Sequence, residues 1–341
     1  MLSRKNALPL PERSSMQRGH IFSALLSIGV AITARSADAS PVCIASSTLS
    51  PTTNVTFPSS GRSFVLATPS GSISQPLRLL YALHGYGDGA DFILKRTGFD
   101  TSAPAAGYAV VAPQGDAGNP GGSWSLGNGR TDGRQTDRIR LSEEIDFLWS
   151  VADCLRDQLG IPLSGEVYLA GLSQGGKMAT RLACSTHAGF TVKAIAVAAG
   201  VQAEPGISCP AAIPLLLFQG GLDPVVPFCT TGSFLYRPNA ASLSLLARST
   251  MNGCAVWPAQ PRGASSMDVI STRVFEYQGC AAPTMLVWTP LDAHVWPDTL
   301  IGVQQTASAV ALAFFASSGR DAVIPQLTRS DARWPCGQQW T

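Results

Sequence analysis

From Ser63 onward, short apolar runs alternate with stretches whose apolar positions recur at helical spacing. Eight segments read as strands: Ser63–Thr68, Arg78–His84, Tyr108–Pro113, Glu166–Ala170, Lys193–Ala198, Pro214–Gln219, Arg273–Tyr277 and Thr284–Trp288. Runs such as "YAVVAPQG" and "PLLLFQG" are apolar without alternation, as strands covered on both faces are. Between them, Ser142–Gln158, Gln174–His187, Ala241–Asn252 and Ile301–Ser317 carry helical patterns. The first is expected to start at Ser142 as N-cap, with Glu143 and Glu144 in its positively charged first turn. This alternation predicts an α/β domain whose central sheet is mostly parallel with helices on both faces. Residues 40–60, rich in Ser, Thr and Pro, read as an irregular lead-in.

The N-terminal pattern is different. From Met16, a basic start precedes the apolar run Ile21–Thr33, and Ala37-Asp38-Ala39 is a small-x-small sequence. That combination predicts a secretory signal peptide over residues 1–39. The run is too short to span a bilayer comfortably, so no membrane anchor is expected. The division that follows is signal peptide 1–39, one catalytic domain 40–320 and a tail 321–341 packed on it. A location outside the cell is expected.

Composition narrows the possibilities. Apolar residues make up 45% of the 341 and charged residues 13%, which suits a chain with a sizeable core. Cleavage after Ala39 would take five of the 24 basic and two of the 22 acidic residues, leaving 19 against 20. Such a balance gives nucleic-acid binding no electrostatic support, and a monomer is expected. The eight cysteines, at 43, 154, 184, 209, 229, 254, 280 and 336, all follow the cleavage site. An even count in an exported chain predicts disulfides. There is no Cys-x-x-Cys pair and only His84, His187 and His294 remain after cleavage, so no structural zinc is expected. Asn54-Val55-Thr56 is an N-glycosylation sequon, relevant only in a eukaryotic host.

The candidate chemistry lies in "VYLAGLSQGGKMATRLAC", Val167–Cys184. The strand "EVYLA" runs into "GLSQG" and then a helix, which places Ser173 at a strand-to-helix turn, the setting of a nucleophile elbow. A serine hydroxyl needs a base and a group that orients the base. His294, in "TPLDAHVWPD" after the last strand, is the expected base. Asp223, ending the buried strand in "LLLFQGGLDPVVPF", is the expected acid, because the order Ser, Asp, His suits this architecture; Asp292 is its rival. A tetrahedral oxyanion needs donors, and the backbone N–H groups of Gln174 and of Tyr86, in "LHGYGDG", are the candidates. No cofactor or metal is required.

Together "LHGYG", "GLSQGGKMATRLAC", "GGLDPVVPF", "NGC…YQGC" and "HVWP" resemble the secreted α/β-hydrolases related to polyhydroxybutyrate depolymerases and feruloyl esterases, the carbohydrate esterase family 1 group. The resemblance covers about Ser63 to Ala316. It implies an α/β-hydrolase fold with Ser173, Asp223 and His294 as nucleophile, acid and base. It also implies a Cys254–Cys280 disulfide, with Cys184–Cys209 as a second pair; Cys43, Cys154, Cys229 and Cys336 stay unassigned. The "GGSWSLG" stretch resembles a Trp-bearing loop of the family's cleft, so Trp124 and Trp296 are candidate substrate-binding residues. Feruloyl-type esters of plant cell-wall polysaccharide are the expected substrates, with a polyester such as polyhydroxybutyrate or an acetylated xylan as alternatives. Asp292-Ala293-His294 departs from the glycines that often precede the family's histidine. The alternative of another class is a catalytically inactive secreted binding protein on the same fold.

Overall fold

A computed structural model describes residues 41–46, 52–115, 122–126, 135–201, 209–229, 241–255, 262–263, 270–318 and 335, with backbone alone for 135–139 and 262–263. The expected signal peptide lies outside these residues, as does the expected tail apart from Pro335.

The strands are β1 (Ile44–Ala45), β2 (Thr52–Phe57), β3 (Arg62–Ala67), β4 (Leu77–Leu83), β5 (Tyr108–Pro113), β6 (Leu163–Leu172), β7 (Thr191–Ala198), β8 (Leu215–Gly220), β9 (Arg262–Gly263), β10 (Arg273–Glu276) and β11 (Thr284–Thr289). The helices are α1 (Ala90–Thr97), α2 (Phe99–Ala105), α3 (Gln135–Asp153), α4 (Gln174–Ala183), α5 (Ala241–Met251) and α6 (Ala307–Ala316). The strands form one sheet in the order β1-β2-β3-β5-β4-β6-β7-β8-β11-β10-β9. Neighbours from β5 to β11 in that order run parallel, and the flanking pairs are antiparallel. An antiparallel β3 beside β5, then β4 next to β6, is the strand order of the α/β-hydrolase fold.

Strand pleating splits the core into two layers. Along β4, Leu79, Tyr81 and Leu83 join one cluster with Leu148, Val151, Met178 and Leu182 of α3 and α4. Leu80 and Ala82 face the other way, onto Ile93, Phe99, Phe314 and Phe315 of α1, α2 and α6. Both faces are covered, which explains the unbroken apolar runs.

Three expectations are corrected. Residues 40–60 are not wholly irregular, because Thr52–Phe57 forms β2, with Thr53, Val55 and Phe57 inward. Helix α3 starts at Gln135, so Ser142 lies inside it and is not its N-cap. Glu144 is buried against β3 through an Arg62 ion pair at 2.7 Å rather than serving a helix N-terminus. Helix α6 starts at Ala307, and its N-cap is Thr306, whose hydroxyl accepts the Ala309 N–H.

Cysteine pairing is visible for three bonds: Cys43–Cys154, Cys184–Cys209 and Cys254–Cys280. Cys229 is also disulfide-bonded, and Cys336 lies outside the described residues. Asn54 is exposed in β2. Among the described residues no helix is long and apolar enough to cross a membrane.

Candidate active site

Parallel strands that end on one side of a sheet bring sequence-distant loops together. Here β6 leads to Ser173, β8 to Asp223 and β11 to His294. The three side chains meet in a line. The Nε2 of His294 lies 2.8 Å from the Ser173 hydroxyl, and its Nδ1 lies 2.8 Å from Oδ2 of Asp223.

Local structure explains the placement of each. Ser173 has φ 55° and ψ −117°, a conformation that L-residues rarely adopt and that costs about 1–3 kcal/mol. Its N–H donates to the Ala198 carbonyl at the end of β7 (2.8 Å), and its carbonyl accepts from Lys177 (3.1 Å). Its hydroxyl makes no capping bond to α4 and is left for the imidazole. Sharp entry into α4 requires glycine at position 175: a Cβ there would collide with the carbonyl oxygens of Leu83 and His84.

The Asp223 side chain is buried and held by four hydrogen bonds. Oδ1 accepts the backbone N–H groups of Val225 (2.9 Å) and Val226 (2.8 Å), and Oδ2 accepts Gln219 Nε2 at 3.2 Å as well as His294. Burial alone would raise its pKa, but the His294 hydrogen bond and the Val226 and Val225 N–H groups outweigh it and hold the carboxyl below its usual 3.8. The carboxylate therefore accepts a proton-bearing Nδ1, leaving the Nε2 lone pair towards Ser173. The loops carrying acid and base are tied together, as the N–H of Leu222 donates to the Asp292 carbonyl at 2.9 Å. The rival carboxylate, Asp292, bonds Thr289 instead, and its burial raises its pKa.

The turn after β4 lies beside Ser173. A Cβ on Gly85 would come within 3.6 Å of the Ser173 Cβ. Tyr86, next along, is 63% exposed. Gln174 opens α4, where a first-turn N–H lacks an intrahelical acceptor. Gly85, which precedes Tyr86, and Gln174 thus both adjoin Ser173.

Both tryptophans expected to bind substrate are corrected. Trp124 is 2% exposed and Trp296 is fully buried. Trp296 packs on Phe99 and Phe218, and its indole N–H donates to Ser308. Trp124 packs on the His84 ring with centroids 5.0 Å apart, and its indole N–H donates to the His84 carbonyl at 2.9 Å. An indole spends its one N–H once, so both rings are internal supports. His187 lies between α4 and β7, at the opposite end of the parallel strands, stacked on Trp149 and 3.0 Å from Asp153. A cavity of about 730 Å³ lined by Trp149, His187, Phe190 and Lys193 opens at that end and includes no residue of the Ser173 cluster. Sequence reasoning missed the side chains of Gln174, Gln219 and His84; a polar residue directly after the serine, and one ending a buried strand, were the available signals.

No protein-family model matches the chain. A curated relative, "Putative esterase NocK" of Nocardia uniformis subsp. tsuyamanensis, is 32% identical over 163 residues, which are 48% of this chain and 43% of that protein. The chain thus spans less than half the length of the curated relative it matches. Among solved structures, an S-formylglutathione hydrolase from Agrobacterium tumefaciens is similar with a TM-score of 0.49 and 12% identity, over 83% of this chain and 99% of the other. Esterase PE8 gives 0.46 and 20%, over 74% and 96%. An acetyl xylan esterase from Aspergillus awamori gives 0.44 and 12%, over 74% and 94%.

Proposed function

We propose that the protein is a secreted serine esterase with Ser173 as nucleophile, His294 as base and Asp223 as the acid that orients it. The observation that carries this reading is the line of two 2.8 Å contacts from Ser173 through His294 to Asp223. In the reaction, the Ser173 oxygen bonds to the ester carbonyl carbon while its proton passes to His294 Nε2. The carbonyl oxygen becomes an oxyanion facing the N–H groups of Tyr86 and Gln174. Collapse breaks the bond to the alcohol, which leaves with the proton from His294. Water then gives a proton to His294 and attacks the acyl group, the acid departs, and Ser173 recovers its proton. The visible disulfides support passage through an oxidising compartment.

Feruloyl-type esters of plant cell-wall polysaccharide are the proposed substrates, on the motif resemblance. One observation favours a second reading, an apolar polyester. The exposed apolar side chains Tyr86, Leu222, Val225 and Leu291 all stand on the turns that carry or adjoin the proposed catalytic groups. Turnover of p-nitrophenyl butyrate by the Ser173→Ala variant tests the mechanism. Activity at the spontaneous rate is expected, and near-native activity would refute it. Methyl ferulate, a polyhydroxybutyrate film and acetylated xylan then rank the substrates. Clearing of the film without ferulate release would favour the polyester.

A further inference from the structure

The two proposed oxyanion donors sit on separate segments, the turn after β4 and the start of α4. What fixes the gap between them is visible in side chains that the reaction itself does not use. The Gln174 carboxamide pairs with the backbone of Trp124 at both ends. Trp124 N–H donates to Gln174 Oε1 at 3.0 Å, and Gln174 Nε2 donates to the Trp124 carbonyl at 3.0 Å. The Trp124 indole N–H then donates to the carbonyl of His84, two residues before Tyr86. The His84 ring closes the arrangement. The Gly115 N–H donates to its Nε2 at 2.9 Å, so the proton sits on Nδ1, which donates to the Gly85 carbonyl at 2.8 Å. Gly87, on the far side of Tyr86, donates to the Gly122 carbonyl at 3.0 Å. Trp124 therefore bridges the helix start that carries one donor and the turn that carries the other.

We infer that the Gln174 side chain and the Trp124 indole are positioning residues that set the width of the oxyanion hole. This inference rests on the esterase reading above. Neither group touches the ester; each acts on a backbone N–H that stabilises charge formed only in the transition state. Both donors survive replacement of these side chains, since both are backbone groups. Loosening the bridge should therefore lower kcat, leave KM nearly unchanged and leave the shape of the pH profile in place. Loss of a whole oxyanion donor costs about 10²–10³ in kcat; a displaced donor should cost about tenfold to a hundredfold.

The test uses the full secreted chain and three variants: Gln174→Ala, Trp124→Phe, which keeps a ring but loses the N–H, and the double variant. Each is assayed on p-nitrophenyl butyrate, with inhibition by a trifluoromethyl ketone whose adduct carries a tetrahedral oxyanion. The expected result is a fall in kcat at constant KM, matched by an equal-fold weakening of the ketone. The double variant should lose no more than about the worse single variant, because residues acting through one network couple. Wild-type kcat in both single variants would overturn the inference, as would a loss carried by KM or ketone binding unchanged while kcat falls. Multiplying losses in the double variant would also contradict one shared bridge. Retained turnover in Ser173→Ala would instead bring down the esterase reading, so the two failures are distinguishable.

Discussion

The Ser173 hydroxyl and the Asp223 carboxylate meet the two nitrogens of one imidazole, and the proposed chemistry rests on these three side chains. Ser173, Asp223 and His294 could be picked by type and order, because few histidines were available and one followed the last strand. Direction was not legible. Trp124 and Trp296 have the right type for stacking on substrate, but each indole points inward to a hydrogen-bond acceptor, which local sequence does not encode. Burial of His84 makes stability depend on pH. Burial lowers its pKa from 6.5, outweighing the Gly85 hydrogen bond. Its folded-state pKa is depressed, so the unfolded chain binds the proton more readily; the stability it contributes is present above about 6.5 and is lost as pH falls through lower values. Thermal midpoints should decline below that pH, and His84→Asn, which does not titrate, should flatten the decline; an equal slope in both proteins would contradict this. Asp223→Asn should cut kcat by about 10⁴ with the fold intact, by mispresenting the imidazole.

At the level of elements, the buried parallel strands were the easiest to read, since continuous apolar runs have few alternatives. β2 was hidden by composition. Its residues alternate inward and outward with period two, but half of them are Thr and they sit in a Ser/Thr/Pro-rich stretch that also suits a loop. α1 and α2 went unread because they are short and meet at Gly98, and α2 encloses Pro104; packing on the sheet holds them, not helix propensity. α6 shows how a small local bond sets a boundary. Thr306→Ala removes its N-cap bond and should cost about 1 kcal/mol, read as a drop of about 2–4 °C in the thermal midpoint. A shift within error would mean that packing alone fixes where α6 begins. Gly175→Ala should be far worse, because its Cβ meets two carbonyl oxygens of the β4 turn. Little folded, active protein is expected, and a variant with native activity would show that the elbow can relax.

For the whole molecule, the fold was legible from alternation, whereas long-range cross-links were not. Cys43–Cys154 joins residues 111 apart in sequence, tying the segment before β1 to the end of α3, and no spacing rule reveals such a pair. A loop of about 100 residues closed by a disulfide is worth about 4.7 kcal/mol in the chain-entropy model. Cys43→Ser with Cys154→Ser should therefore lower the thermal midpoint substantially while leaving kcat intact below it; an unchanged midpoint would contradict a structural role. The same sheet that needs this staple brings Ser173 and His294, 121 residues apart, into contact, and in the proposed mechanism this contact makes Ser173 a nucleophile. Intact-mass analysis with peptide mapping after treatment with a fluorophosphonate reads that reactivity at the residue. One adduct per chain, on the peptide holding Ser173 and absent from Ser173→Ala, is expected. An adduct on another residue, or equal labelling of Ser173→Ala, would mean that Ser173 is not the nucleophile.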